Sequence, residues 1–392
     1  MVDYIKALSL FCLSVAVASS EGKLIAISAF LGFVAFIMDK NRFYNIKNKC
    51  FNITFITFLF FVITMIIASL GISYHDGIKE STKYFEKITS FLIVYLLLGN
   101  VKNYFKITLL GLAIGFIAND YVLLKEVMAS QLSVYDFRGG GLFGNPNKLG
   151  GVAALVVPFF IYFSIRYRQN IGLLLISILT IVGLCISLFV AGSRGAVLNI
   201  IVELIAICIL YFHNAKIIKF SYKYFLLAGV VAVIASVAFI SMNMRSYDYE
   251  RVLVWTSALQ MFKDYPLCGV GLGNFNMVYN SGYVSALAKE PNLVHPHNTY
   301  LLFLVETGII GFIGYISTVI TFITLWWKYR ENDTSDTCNL KFTDIFMISL
   351  IGMIPHNLVD VVCIFRDQML IQYLFWVLCC WQLNPDKNIV RE

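Results

Sequence analysis

The stretch IGLLLISILTIVGLCISLFVAG occupies residues 171–192 and contains no charged side chain. An α-helix needs about 20 apolar residues to cross the hydrocarbon core of a bilayer, so this stretch predicts a membrane-spanning helix. The whole chain shares its character, because 59% of the 392 residues are hydrophobic and only 14% are charged. Soluble domains carry about 25% charged residues. The sequence therefore predicts an all-α integral membrane protein.

Comparable apolar runs recur along the chain, and we expect about twelve membrane spans. They lie near residues 6–20, 23–38, 51–71, 88–100, 107–124, 149–165, 171–192, 196–212, 224–242, 298–327, 343–362 and 368–383. The first pair and the 88–100 run are short enough to merge or to be re-entrant. The 298–327 run is so long that it must tilt or begin outside the bilayer. The N-terminus also resembles a signal peptide, but a second apolar run follows at once, so we expect a retained first helix.

The distribution of lysine and arginine predicts the orientation of these spans, because basic residues concentrate on the cytoplasmic side. With the N-terminus inside, the inner segments contain 17 of the 30 basic residues. These are Lys6, Lys40, Arg42, Lys47, Lys49, Lys102, Lys106, Arg166, Arg168, Lys216, Lys219, Lys223, Lys328, Arg330, Lys341, Lys387 and Arg391. We therefore expect both termini in the cytoplasm. Because the +7 charge is spread over short loops, it does not indicate a nucleic-acid partner.

The longer connections, 72–87, 125–148 and 243–297, then fall on the outer side. None is long enough for a separate globular domain, so residues 1–392 are expected to form a single polytopic domain. The 243–297 connection joins predicted spans nine and ten. Its apolar residues Val252, Trp255, Leu259 and Phe262 recur at helical spacing, which predicts an amphipathic helix on the outer membrane surface. The glycines of 269–273 predict turns.

His297 stands at the predicted outer mouth of the 298–327 span. Imidazole is the side chain whose unperturbed pKa lies closest to neutral pH, which suits a general base. A helix cap is the alternative for a lone histidine. His295 and His297 also resemble a metal-binding pair, yet a metal needs further ligands. The loop offers only the scattered Asp264 and Glu290, so we expect no metal.

Three arginines fall on the same predicted side. Arg194 lies between two apolar runs, where the Ser193 and Gly195 amides would begin a helix and could bind an anion. Arg251 begins the amphipathic helix, and Arg138 opens a glycine-rich run that lacks the GK[ST] ending of a P-loop. Guanidinium groups bind phosphate bidentately. Snorkelling or ordinary surface exposure is the alternative for each arginine.

Four polar residues fall inside predicted spans, where such groups are costly. They are Glu203, His356, Asn357 and Asp360. Helix packing and proton relay are the two interpretations.

Taken together, these motifs resemble the O-antigen ligase family, within a wider group that includes O-antigen polymerases and pilin oligosaccharyltransferases. His297 and Asn298, then Gly308 after nine residues, then Gly311 after two more, match the family's histidine motif. The element around Arg194 and the segment from Arg251 to Gly271 extend the likeness over about residues 190–315.

The resemblance implies a GT-C-like glycosyltransferase of the bacterial inner membrane, with its active site facing the periplasm. It would move an O-antigen glycan from undecaprenyl diphosphate to lipid A–core, with inversion and without metal, nucleotide or other cofactor. It implies that His297 is the catalytic base and that Arg194, Arg251 and, less closely matched, Arg138 bind the diphosphate.

Two other functions remain open. An O-antigen polymerase would use the same donor. A twelve-span transporter is the alternative from another class, although its expected long cytoplasmic link between spans six and seven is here only 166–170.

Overall fold

The computed structural model describes residues 1–40, 47–70, 74–94, 101–132, 137–214, 246–289, 293–335, 340–362 and 366–384. Within these ranges the protein is all-helical and contains no β-strand. The helices are α1 (Val2–Ser19), α2 (Gly22–Met38), α3 (Lys49–Ala68), α4 (Tyr74–Lys87), α5 (Thr89–Leu92), α6 (Tyr104–Ala129), α7 (Pro146–Arg166), α8 (Ile171–Ala191), α9 (Arg194–Asn214), α10 (Ser246–Asp264), α11 (Phe275–Val278), α12 (Thr299–Tyr329), α13 (Phe342–Val359) and α14 (Arg366–Leu383).

Eight helices in the described residues are long and apolar enough to cross a membrane: α1, α3, α6, α7, α8, α9, α12 and α13. A ninth apolar helix, α2, has 17 residues. The predicted 224–242 span lies outside the described residues. Of the predicted 88–100 run, residues 88–94 are among the described residues, and they include the single helical turn α5. The all-helical membrane fold is confirmed, while the number twelve stays a prediction.

The last helix, α14, is surrounded by protein rather than exposed on one face. All of its residues except Arg366 and Trp381 are buried. Phe375 stacks on Phe159 of α7 with ring centroids 3.6 Å apart, and the Trp376 indole N–H donates to Thr54 Oγ1 of α3 at 3.0 Å. Burial on every side, which here includes the polar residues Gln368 and Gln372, is typical of a helix in a core. We therefore regard α14 as the centre of the bundle.

One end of the bundle gathers basic residues from helices that are distant in sequence. Arg330, at the end of α12, makes two hydrogen bonds to the Asp344 carboxylate of α13, at 2.6 and 2.8 Å. Arg166, at the end of α7, donates to the Ser335 carbonyl at 3.2 Å. We call this the basic end. Its members are those that the charge distribution assigns to the cytoplasmic side, and the candidate site lies at the opposite end.

Candidate active site

His297 is held immediately before α12 by an unusual backbone conformation. Its φ is +49°, in the left-handed region that residues other than glycine seldom adopt. Asn298 caps the helix, accepting from the Leu301 N–H at 3.0 Å and donating to the Leu358 carbonyl at 3.0 Å. His297 Nδ1 consequently lies 3.2 Å from Oδ1 of Asp360, the residue that follows α13.

The environment of Asp360 favours its ionised form. Burial alone would raise the pKa of this carboxyl, but the hydrogen bond from His297 and the neighbouring imidazoles hold its pKa below the ordinary value. Val361 also donates its N–H to Oδ1 at 2.8 Å. A carboxylate in this place orients the imidazole with Nδ1–H toward Asp360 and leaves Nε2 able to accept a proton.

His295 lies beside this pair. Its ring centroid is 4.6 Å from that of His297, and ligand atoms of His295, His297 and Asp360 all lie within 4.8 Å of one another. Burial, followed by the nearby His297 and Arg251, lowers the pKa of His295 to about 4, so it is neutral at neutral pH. A third metal-binding atom therefore comes from Asp360, which follows α13, and not from the acidic residues of the loop.

Helix α10 packs over the histidine loop and brings Arg251 to it. The Trp255 indole N–H donates to the Pro296 carbonyl at 2.8 Å. Arg251 lies about one turn before Trp255, and its charge acts on His295. Farther along the segment, the Lys289 N–H donates to the Glu250 carboxylate at 3.0 and 3.1 Å. The predicted helix over 251–262 is thus present, within Ser246–Asp264.

The buried stripe of α10 is adjacent to the stripe predicted from the sequence. Val254, Ala258 and Met261 are fully buried and join a small core with α12. Val252 and Leu259, from the stripe expected to face the membrane, are 40% and 47% exposed. One side of α10 therefore packs on the protein and the other remains available to lipid.

Arg138 and Arg194 meet at the junction of α8 and α9. Arg138 Nε donates to the Ala191 carbonyl at 3.0 Å, and its Nη2 donates to Asn147 Oδ1 at 3.0 Å. Arg194 is the exposed first residue of α9. The Ser193 hydroxyl accepts from the Ala196 N–H at 3.4 Å and so caps the helix. Arg138, the arginine that matches the family pattern least closely, thus contacts the end of α8, three residues before Arg194.

The glycine run after Arg138 does not form an open phosphate cradle. The Gly141 N–H donates to the Glu126 carboxylate at 3.0 Å, and the Leu142 N–H donates to Asn119 Oδ1 at 3.0 Å. A carboxylate at this position would repel a phosphate. The run therefore anchors the loop that carries Arg138.

His356 connects the two groups of residues. A Cβ atom on Gly195 would lie 2.5 Å from His356 Cδ2, so the first turn of α9 touches this imidazole. His356 lies one turn before Asp360 on α13. The structure thus brings Arg138 and Arg194 to the same end of the bundle as Arg251 and His297.

The polar residues inside the spans share the interface between α9 and α13. Asn199 and Glu203 lie against Gly352, where a Cβ atom would be 2.3 Å from Asn199 Oδ1 and 2.8 Å from Glu203 Oε1. Among the described residues, neither side chain nor the His356 ring has a hydrogen-bond partner. Close packing against glycine is the visible role of this stripe.

A largely apolar cavity of about 250 Å³ runs between α12, α13 and α14. Tyr300 and Asn357 line its upper part, beside the helix ends that carry His297 and Asp360. Phe322 and Met347 line it farther toward the basic end. The candidate base therefore stands at the head of an apolar cleft.

Residues 179–316 match the family model described as O-antigen ligase. This match supports assigning the chain to the O-antigen ligase family. The matched segment contains Arg194, Arg251 and His297, whereas Arg138 and Asp360 lie outside it. The search of curated proteins found no match.

The first glycine of the O-antigen ligase motif, Gly308, produces a kink in α12. Its φ of +59° and ψ of −164° fall in a region essentially restricted to glycine. Ile309 and Ile310 donate their N–H groups to the carbonyls of Pro266 and Leu267, at 2.9 and 3.2 Å, instead of to their own helix. Gly308 therefore docks the segment after α10 onto α12.

The kink resolves the excess length of the 298–327 run. The part of α12 after Gly308, residues 309–329, measures about 31 Å at 1.5 Å per residue, close to the hydrocarbon thickness of a bilayer. The second motif glycine, Gly311, approaches Met65 of α3, whose Cε would lie 2.9 Å from an added Cβ. The short first part, with Asn298 as its cap, positions His297.

Asp360 is the functional candidate whose role the sequence did not reveal. The sequence shows it only as a polar residue within a predicted span, although it pairs with a histidine 63 positions away. Its position shortly after His356 and Asn357, at the end of an apolar run, was the only available signal.

Proposed function

We propose that this protein transfers an O-antigen glycan from undecaprenyl diphosphate to lipid A–core at the periplasmic face of the bacterial inner membrane. One observation carries the proposal: the His297–Asp360 pair stands at the head of an apolar cleft, and the positive charge of Arg251 acts on the adjacent His295. A proton acceptor, a cation and a lipid-compatible surface are the parts that this reaction requires.

His297 acts as the general base. Nε2 takes the proton of the acceptor hydroxyl, whose oxygen forms a bond to the anomeric carbon from the face opposite the diphosphate. The bond between that carbon and the diphosphate oxygen breaks, and undecaprenyl diphosphate leaves with the electron pair. The anomeric centre is inverted. Asp360 touches the imidazole and not the substrate, so it is a positioning residue that stabilises the imidazolium.

The arginines bind the diphosphate and offset the negative charge that develops as it leaves. The charge of Arg251 acts on His295, next to the base, while Arg194 and Arg138 lie at the α8–α9 junction. The N-terminus of α9 adds the partial positive charge of a helix dipole. Such interactions are stronger in a water-poor cleft than in bulk water.

The apolar cleft between α12 and α13 accepts part of a lipid chain. Its upper lining residues, Tyr300 and Asn357, lie next to the helix ends that carry the reactive pair. A polyprenyl chain in this cleft would place its diphosphate near His297, so that no nucleotide group is needed to hold the donor.

Reconstitution tests this function. The purified full chain is placed in liposomes with undecaprenyl-diphosphate-linked glycan and lipid A–core, with His297→Ala as the inactive control. We expect glycan-capped lipopolysaccharide to accumulate. If no glycan-capped lipopolysaccharide forms with any of several donor–acceptor pairs, the proposal is contradicted.

An O-antigen polymerase is the alternative, since the matched family is associated with both ligase and polymerase activity. The same assay without lipid A–core distinguishes the two. A ladder of lengthened glycan on undecaprenyl diphosphate would identify a polymerase. A transporter would move the lipid-linked glycan across the liposome membrane and leave its covalent structure unchanged.

A further inference from the structure

Three side chains with metal-binding atoms converge at the candidate active site. They are His295, His297 and Asp360, and their ligand atoms lie within 4.8 Å of one another. His297 and Asp360 are only 15% and 7% exposed. The cluster is therefore formed by the fold and is not a chance group of flexible surface side chains.

The donor set and its dimensions suit zinc. Zn²⁺ binds imidazole nitrogen and carboxylate oxygen at about 2.0–2.2 Å, often with three protein ligands and one water. Neighbouring ligand atoms of such a tetrahedron are roughly 3.4 Å apart. His297 Nδ1 and Asp360 Oδ1 are already 3.2 Å apart. A movement of His295 by at most roughly 1.4 Å closes the longest gap.

We propose that His295, His297 and Asp360 bind one Zn²⁺ ion, and that the bound ion inhibits glycan transfer. The ion would occupy the place of the proton between His297 and Asp360. Binding has two costs: the 3.4 Å hydrogen bond from the His297 N–H to His295 Nδ1 is weakened or displaced, and Arg251 is a nearby positive charge. The Asp360 carboxylate offsets part of that repulsion.

Inhibition follows from the lone pairs of imidazole and rests on the proposed function. Neutral imidazole has one nitrogen that carries hydrogen and one that accepts. If the metal binds Nδ1 of His297, Nε2 must carry the hydrogen and cannot take the proton of the acceptor hydroxyl. If the metal takes Nε2, the base is occupied directly. Either geometry removes the base.

His295 separates metal binding from catalysis. It contributes a metal ligand, whereas the proposed reaction uses His297 and Asp360 and gives His295 no role. The variant His295→Gln should therefore lose the metal site and keep transfer. His213→Gln is a matched control, because His213 lies 19 residues along α9 from Arg194, about 28 Å of helix away from the site.

The first arm measures Zn²⁺ binding to the purified full chain by titration calorimetry, and Co²⁺ absorption reports the ligand geometry. We expect one site in the wild type and in His213→Gln. In His295→Gln the affinity should fall at least about tenfold, a loss that even an outer-shell partner of a metal can cause. If that variant is unstable, Asp360→Asn replaces it in this arm. No Zn²⁺ binding by the wild type, or equal affinity in the variants, would overturn the proposal.

The second arm adds Zn²⁺ to the reconstituted transfer reaction. Wild-type transfer should fall as the site fills and recover with EDTA, while His295→Gln should remain active at the same Zn²⁺ concentration. Loss of wild-type transfer on EDTA treatment, restored by Zn²⁺, would overturn inhibition and make the metal catalytic. If the chain transfers no glycan, the first arm still decides the metal site. If it transfers glycan but binds no metal, only the zinc proposal fails.

Discussion

Replacing Asp360 by asparagine should slow glycan transfer about a hundredfold. The side chain keeps its size, but the charge facing His297 Nδ1 at 3.2 Å is lost. Two unit charges about 4 Å apart interact by about 4 kcal/mol at an effective dielectric constant of 20. Partial exposure of His297 and relaxation reduce this, and we take about 2.7 kcal/mol, which corresponds to about a hundredfold in rate.

The kinetic constants distinguish positioning from structural damage. Because Asp360 contacts the base and not the donor, kcat should fall while KM for the lipid-linked glycan stays the same. Protein abundance and thermal stability in detergent provide the folding check. Asp264→Asn is the matched control, since this carboxylate in the same outer segment accepts a hydrogen bond from Tyr283 at 2.6 Å instead of contacting the histidine.

Two results would refute this reasoning. Transfer by Asp360→Asn within about threefold of the wild type would mean that the carboxylate does not support the base, because the interaction would then be worth less than about 0.7 kcal/mol. An equal loss in Asp264→Asn would mean that any change in the outer segment slows transfer.

Four further predictions follow from the same site. His297→Ala should insert normally, still bind the donor and lose about 10²–10⁴-fold in transfer, whereas His295→Gln should retain most of it; near-normal transfer by His297→Ala would remove the histidine from the mechanism. Arg194→Lys should lose activity nearly as fully as Arg194→Ala, because lysine cannot form a bidentate fork. Arg168→Lys at the basic end is the control. Full activity in Arg194→Lys would indicate that the site needs only a point charge. Gly308→Ala should lower the unfolding free energy by at least about 1–3 kcal/mol through backbone strain. The Leu267 carbonyl oxygen, 2.1 Å from the added Cβ, increases this loss. Gly282→Ala, with open space around its Cβ, should be nearly neutral in the same thermal-shift measurement. A reporter fused after residue 280 should behave as periplasmic and one after residue 335 as cytoplasmic, and the reverse pattern would put His297 in the wrong compartment.

Local patterns in the sequence predicted most of the helices and singled out the candidate site residues. Apolar length predicts α8 within a residue or so of Ile171–Ala191, because a span depends on the transfer of its own side chains into lipid. The spacing of His297, Gly308 and Gly311 identifies the family motif, since its positions are fixed along a single segment. The segment matched by the O-antigen ligase family contains all three.

Contacts between distant segments were decided only by the tertiary structure. Hydropathy treats α14 like any other span, yet it is buried at the centre of the bundle, because the composition of a helix does not reveal what surrounds it. The glycine run after Arg138 resembles a phosphate loop until Glu126 and Asn119 are seen to occupy its amides.

The same distinction holds at the candidate base. The sequence by itself placed His297 at the mouth of a helix and predicted that the arginines lie on its side of the membrane. Only the tertiary structure paired His297 with Asp360, added His295 to form a three-ligand cluster and kinked α12 at Gly308 so that the loop after α10 could dock. Hydrophobic periodicity is a property of one helix, whereas a pair 63 residues apart exists only after two helix ends have been packed together.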